Sequence, residues 1–193
     1  MPNRRRFIEV FLAFVLSSML VVNGCVVKPE WVKTALDDLP VIIQVVTSVI
    51  GMVAAAQSKG QAEPAMVSQM QVISAQVQSD LKLLQSLVND YQSADAAKKP
   101  GILSKADTLL ATVQKNLSSL LAAFHVNDVA LQTTITSSIG LALTTLLAIQ
   151  SFLPASSSAR RTTRPIKPMS SRDLKAAING IVNSNGYGDF AIN

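Results

Sequence analysis

The sequence predicts an all-α protein, an antiparallel up-and-down four-helix bundle with an N-terminal signal helix and a flexible basic C-terminal tail. Between residues 29 and 153, apolar side chains recur every three or four positions, with no alternating strand pattern bounded by hairpin turns. The connections between these stretches are short, which favours antiparallel neighbours. With 193 residues, 49% of them hydrophobic and 15% charged, the chain offers one domain of ordinary size.

The first bundle helix is predicted from about Pro40 to Gln57, after a short turn of helix over residues 30–39. Proline suits the first turn of a helix, where its missing N–H costs little, and Asp37 and Asp38 are placed to cap the segment that follows. Valine and isoleucine dominate this helix, and their intrinsic helix propensity is low. We therefore expect tertiary packing to stabilise it.

The second helix, from about Pro64 to Ala94, has one clear amphipathic face, because its apolar residues follow one another in steps of three or four while glutamines fill most of the opposite side. The predicted stripe is Met66, Met70, Ile73, Val77, Leu81, Leu84, Val88 and Tyr91. Residues 96–101, which include Pro100 and Gly101, are expected to end this helix.

Two further helices repeat the pattern. The third is predicted from about Ile102 to Phe124, and the fourth follows a cap at Asn127 or Asp128 and reaches Leu153. The stripe of the third is Ile102, Ala106, Leu109, Val113, Leu117, Leu120 and Phe124, and that of the fourth includes Leu131, Ile135, Ile139, Leu143, Leu146 and Ile149.

The composition changes after Leu153 to proline, serine and arginine, with too little apolar surface to fold, so residues 154–170 are interpreted as a linker. A short helix is predicted to start at Ser171 and to end near Asn183. For the terminal Phe190 and Ile192, docking on the bundle and a loose tail both remain open.

The N-terminus carries three arginines, Arg4 to Arg6, followed by an apolar run from Val10 to Val22. This order is typical of a secretory signal peptide, and the run is short for a permanent membrane span. Next come Val22, Asn23, Gly24 and Cys25, the only cysteine of the chain. A single unpaired thiol in an exported protein needs an explanation, and attachment of lipid supplies one.

These first 25 residues resemble the signal peptide and lipobox of bacterial lipoproteins. The resemblance implies that Val22, Asn23 and Gly24 are recognised for cleavage and that Cys25 becomes the first residue of the mature chain, carrying covalent diacylglycerol and an acyl chain. No other cofactor is expected. The competing interpretation is an uncleaved helical anchor from about Phe7 to Val27.

The lipoprotein interpretation divides the chain into five segments. They are a signal peptide at 1–24, a lipidated N-terminus and helical lead-in at 25–39, the bundle at 40–153, the linker at 154–170, and a short helix with a tail at 171–193.

Charge is unevenly distributed along the chain. Residues 25–154 hold eight lysines and nine carboxylates, whereas residues 155–193 hold six basic groups and two aspartates. The basic side chains of the linker could contact anionic headgroups or an anionic envelope polymer, or could simply solvate a spacer. They are Arg160, Arg161, Arg164 and Lys167. Because the bundle itself is nearly neutral, no nucleic-acid partner is expected.

Residues 39–58 and 129–159 carry no charge, so both could instead be membrane-inserted helices of an integral protein, such as a small pore or assembly subunit. Hydroxyl and amide side chains within both segments fit a soluble bundle at least as well. Two insertions would also leave Arg160 and Arg161 just beyond the second span on the exported side, against the positive-inside rule.

The sequence contains few residues in patterns typical of catalytic or metal-binding sites. The single histidine, His125, is expected to act as a helix-end partner, and one histidine with one cysteine provides no zinc cluster. The sequence therefore predicts a non-enzymatic, lipid-anchored protein on the exported side of the cell membrane, in the periplasm or at the cell surface, and at the outer membrane if the cell has one. It would act in binding or structural support, with the membrane and an envelope protein or polymer as partners.

Overall fold

A computed structural model describes residues 29–124, 126–153 and 169–193. All regular structure in these residues is helical, which confirms the all-α class. The elements are α1 (Glu30–Ser58), α2 (Pro64–Ser93), α3 (Lys99–Ala123), α4 (Val129–Phe152), α5 (Ser171–Ser184) and a 3-10 turn (Gly188–Phe190).

The four long helices pack around one continuous apolar core. α1 contacts α2 and α4, and α3 contacts the same two helices from the other side. α5 lies outside this ring and contacts α1, α4 and the 3-10 turn. The described residues therefore form a helical bundle with one additional helix laid across the α1–α4 pair.

The predicted stripes are confirmed at most positions. In α2 the residues predicted and buried are Met70, Val77, Leu81, Leu84, Val88 and Tyr91; in α3 and its C-cap, Ala106, Val113, Leu117, Leu120 and Phe124; in α4, Leu131, Ile135, Ile139, Leu146 and Ile149. The prediction is wrong by one position at two places, where Val67 and Leu110 are buried while Met66 and Leu109 are half-buried. The predicted residues Ile73, Ile102 and Leu143 are also only half-buried.

The predicted break before Pro40 is wrong, because α1 runs through it without interruption. Proline in a helix interior removes one hydrogen bond and costs about 3 kcal/mol. Leu39 and Ile42, on either side of Pro40, are both fully buried, and each such side chain contributes roughly 1.5–3 kcal/mol when removed from water. Core contacts on both sides thus offset the cost of the proline.

Asp37 and Asp38 consequently lie inside α1 and do not cap a helix as predicted. Asp37 is exposed, but Asp38 retains only 2% of its accessible surface. Burial, reinforced by the neighbouring Asp37 carboxylate, raises the pKa of Asp38 to about 6. A carboxyl group removed from water favours its neutral form.

The boundary between α2 and α3 also differs from the prediction. α2 ends at Ser93, and the Asp95 side chain accepts a hydrogen bond from the Lys98 backbone N–H at 2.9 Å. Pro100 lies in the first turn of α3, a position that tolerates proline. The segment that was expected only to end α2 therefore also begins α3.

At α4, the predicted Asp128 cap is confirmed: its carboxylate accepts from the Leu131 N–H at 3.0 Å.

The prediction of a flexible C-terminal tail is wrong for residues 170–193. Ser170 caps α5 by accepting from the Asp173 N–H at 3.2 Å, and the Ser170 hydroxyl donates to the Asp173 carboxylate at 2.7 Å. α5 buries Leu174, Ile178 and Val182, and Ile192 beyond it is 5% exposed. The C-terminal segment therefore docks on the bundle, which is one of the two alternatives left open above.

The raised pKa of Asp38 predicts a pH-dependent stability. Between the unfolded value of 3.8 and the folded value of about 6, the folded state binds the extra proton, so the free energy of unfolding falls as the pH rises through this window. Asp38→Asn removes that loss. In urea titrations its stability advantage over wild type should grow by roughly 2–3 kcal/mol from pH 4 to pH 8.

Asp90→Asn provides the matched control, because Asp90 is exposed on α2. Equal pH dependence of the two variants would show that Asp38 is not buried as described.

Candidate functional site

The residues that the sequence singles out for function lie outside the described part of the chain. They are Cys25 with Val22, Asn23 and Gly24, the basic residues Arg160, Arg161, Arg164 and Lys167, and His125. What the structure describes is the body that adjoins them, beginning at Pro29, with α1 starting at Glu30.

The end of the bundle at which α1 begins, here called the near end, is closed by an aromatic cluster. The Trp31 and Tyr91 rings meet edge to face with centroids 4.9 Å apart, and the Lys99 ammonium lies 5.1 Å from the centre of the Tyr91 ring. Such contacts contribute about 0.5–1.5 kcal/mol each beyond their buried area. They fix the start of α1 to the connection between α2 and α3.

The opposite end, the distal end, carries a cleft of about 950 Å³. It lies where the connection after α1 meets the connection after α3. Its lining consists of Gln57, Gly60, Gln61, Ala62, Glu63, Pro64, Met66, Ala123, Val126 and Asn127. The 29 residues of α1 span about 43 Å at 1.5 Å per residue, so the cleft lies that far from the start of the helix.

Amide side chains dominate the polar part of this cleft. Gln57, Gln61 and Asn127 each present both donors and acceptors, Glu63 adds one carboxylate, and Met66 with its apolar neighbours forms the rest of the surface. This lining can hydrogen-bond a neutral polar group and contact a small apolar one.

Two polar side chains hold the rim of the cleft. The Gln132 amide donates to the Phe124 carbonyl and accepts from the Val126 N–H, both at 3.3 Å. Asp128 accepts from the Leu131 N–H and, at 2.9 Å, from the Tyr187 hydroxyl. These two hydrogen bonds hold the pKa of Asp128 below its usual range, and the bond from the Leu131 N–H has the larger effect. Burial and the same carboxylate raise the pKa of Tyr187.

Three methionines near the first connection have separate roles in the structure. Met52 and Met70 are buried in the core, whereas Met66 is half-buried and lines the cleft. For the other cleft residues the sequence predicts only helix ends, at Gln57, Pro64 and Asn127. Gly60, whose φ is 69°, lies in the turn between the first two.

A second, smaller cavity of about 390 Å³ lies in the outer groove between α2 and α3. It is lined by Leu83, Leu87, Ser104, Lys105, Thr108 and Leu109, and the Leu83 side chain is 52% exposed. Within the described ranges, no group of three or more histidine, cysteine or acidic residues could hold a metal ion.

Two helices are long and apolar enough to cross a membrane, judged by length and composition alone: α1 and α4. About half of the most apolar window of each is buried inside the bundle. The core helices of a soluble protein pass the same test.

Comparison of the chain with protein-family models, with curated proteins and with solved structures finds no match.

Gln132→Ala should lower the free energy of unfolding by about 1–2 kcal/mol, because two hydrogen bonds that order the cleft rim are lost and the Phe124 carbonyl and Val126 N–H lose their partner. Thermal or urea unfolding measures it. Gln71→Ala, at an exposed position of α2, should change stability by less than about 0.5 kcal/mol. Equal effects of the two substitutions would contradict the role given to Gln132.

Proposed function

We propose that this chain is a lipid-anchored, non-enzymatic bacterial envelope protein that acts by binding or structural support on the exported side of the membrane, in the periplasm or at the cell surface, and at the outer membrane if the cell has one. One observation carries the proposal: the only cysteine follows a basic start and an apolar run, and directly precedes a folded body. Diacylglycerol and an acyl chain on Cys25 then attach that body to the bilayer.

The geometry of the bundle supports a display role. α1 begins five positions after Cys25, so the near end lies beside the anchor and the distal cleft projects about 43 Å from it. A protein or envelope polymer approaching from the side away from the membrane would meet the cleft first. Its amide-rich lining suits hydrogen bonding to a neutral polar partner, and the basic residues of the linker supply a second contact for anionic groups.

The proposed arrangement of α1 to α4 is an antiparallel up-and-down order. Contacts between helices support it: Trp31 meets Tyr91 near the start of α1, while Thr47, further along, accepts from Gln78 at 2.9 Å. α3 and α4 are related in the same way. The Gln114 amide, in the middle of α3, donates to Gln150 near the end of α4 at 3.1 Å. Gln132, near the start of α4, instead bonds Phe124, which follows the end of α3. Connections of five residues, such as 59–63, suit this order.

The alternative is an integral membrane protein, a small pore or an assembly subunit, and the length and apolar character of α1 and α4 favour it. In that protein the two helices would face lipid, and residues on their outer surfaces would be shielded from aqueous reagents. In the anchored bundle the same residues would face water.

Cys25→Ser should abolish lipid labelling and leave the precursor uncleaved, because the serine hydroxyl cannot form the thioether. Radiolabelled fatty acid and gel mobility measure both effects. Val26→Ser, which introduces the same residue one position later, should be labelled and cleaved like wild type. Normal cleavage and membrane retention of the Cys25→Ser protein would contradict the proposed anchor.

A thiol at Thr136, an exposed position in the first half of α4, separates the two candidate functions. In spheroplasts, a membrane-impermeant maleimide should modify the Thr136→Cys protein as fast as it modifies the Ser79→Cys protein, whose thiol lies on the polar face of α2. If α1 and α4 are inserted, α2 lies between the two spans on the cytoplasmic side. Neither thiol should then react in intact spheroplasts, and only the α2 thiol should react after the spheroplasts are lysed.

A further inference from the structure

The C-terminal segment covers only one side of the bundle. α5 and the 3-10 turn contact α1, and α5 also contacts α4, whereas neither contacts α2 or α3 among the described residues. The covered helices are the same two that are long and apolar enough to enter a bilayer. The uncovered helices carry the polar, glutamine-rich surface.

Burial along each helix follows this division. Twelve of the 29 residues of α1 and ten of the 24 residues of α4 are buried, compared with nine of 30 in α2 and five of 25 in α3. α1 and α4 therefore have a wider apolar face than a four-helix core requires, and α5 lies on it.

The attachment of this segment is local and limited. Leu174, Ile178 and Val182 provide its buried face, at four-residue intervals along α5. A helix of 14 residues is marginal in water without its partner surface. Detachment would therefore be a partial opening, of lower free energy than unfolding of the four-helix core.

Two hydrogen bonds join this segment to the bundle, and two more within it order its terminus. The Ser48 hydroxyl on α1 donates to the Phe190 carbonyl at 2.6 Å, and the Tyr187 hydroxyl donates to Asp128 at the start of α4 at 2.9 Å. The Asn179 amide bonds the backbone of Ile192, accepting from its N–H at 2.8 Å and donating to its carbonyl at 3.0 Å, which folds the terminus back along α5. The Phe190 ring packs directly over Gly51, where a β-carbon would lie 3.0 Å from it.

We propose that residues 169–193 are a releasable cover over a lipid-binding surface formed by α1 and α4. When the cover is closed, the bundle stands in water; when it is released, the apolar α1–α4 face binds the hydrocarbon edge of the bilayer. Burial of that face in acyl chains replaces its burial under α5. This inference rests on the proposed function, because the lipid anchor is what holds the bundle beside a membrane.

The test uses the full chain in phosphatidylcholine vesicles whose acyl chains are brominated, with a fluorescent dye on the Thr136→Cys variant. Adding Ile178→Asp places a charge in the buried face of α5 and should raise quenching of the dye several-fold. Ala176→Asp adds the same charge at an exposed position of α5 and should leave quenching at the wild-type level.

Gly51→Leu is the second variant, and it separates release of the cover from unfolding of the bundle. Leucine is a much better helix former than glycine, so it supports α1, while its side chain displaces the Phe190 ring. This variant should retain wild-type helicity and show increased quenching.

The proposal is overturned if hydrogen exchange shows α5 detached in either variant while the dye stays unquenched, or if the exposed surface forms cross-linkable dimers instead. It is also overturned if α5 stays protected and quenching stays low in both variants.

Failure of the anchor is recognised separately by intact mass. An acylated Cys25 takes no dye, so the chain carries one dye, whereas a free Cys25 thiol would add a second.

Discussion

The structure depends on the burial of two very apolar helices inside a bundle. α1 and α4 contact each other, and each also packs against one amphipathic helix and against α5. Fully buried side chains such as Leu39, Ile42, Leu131 and Ile135 contribute about 1.5–3 kcal/mol each when water is excluded. Without α2 and α3 to supply a polar outer face, the same two helices would have no stable position in water.

Tight mutual burial also explains how the fold tolerates several unfavourable features. Pro40 interrupts the hydrogen bonding of α1, and Asp38 is a carboxyl group taken out of water. Asp80 is 7% exposed and is held by one hydrogen bond, in which the Gln76 amide donates to its carboxylate at 2.8 Å. Each of these features costs stability. The fold tolerates these features because the side chains before and after them on the same helix are almost completely buried.

Polar side chains of α4 also lie in the interior of the bundle. Thr134, Ser138 and Thr145 are buried in α4, and the Thr134 and Thr145 hydroxyls donate to carbonyls one turn earlier, at 2.7 and 2.9 Å. Ser48 in α1 bonds the C-terminal segment. The Thr134 and Thr145 hydroxyls are thus satisfied within their own helix, and the Ser48 hydroxyl is satisfied by the C-terminal segment.

The sequence predicted those parts of the fold that depend on local or periodic information. The stripe of α2 and the Asp128 cap are examples, because a repeat of three and four positions or a carboxylate three residues before an N–H can be identified without the rest of the chain. The continuity of α1 through Pro40 could not be identified in this way, since it depends on burial against other helices. The docking of α5 likewise depends on pairs such as Ser48 with Phe190 and Tyr187 with Asp128, which are far apart in sequence. The distal cleft could not be predicted either, because it joins two connections that are far apart in sequence.

Amide hydrogen exchange on the chain beginning at Val26, in buffer without detergent, tests the central claim most directly. If α1 and α4 are buried against one another in water, the amides around Ile42 and Ile139 should be among the most protected of the whole molecule and should exchange only through global unfolding. A chain that stays in solution only with detergent, or whose α1 and α4 amides exchange as fast as those of an unfolded peptide, would contradict this account.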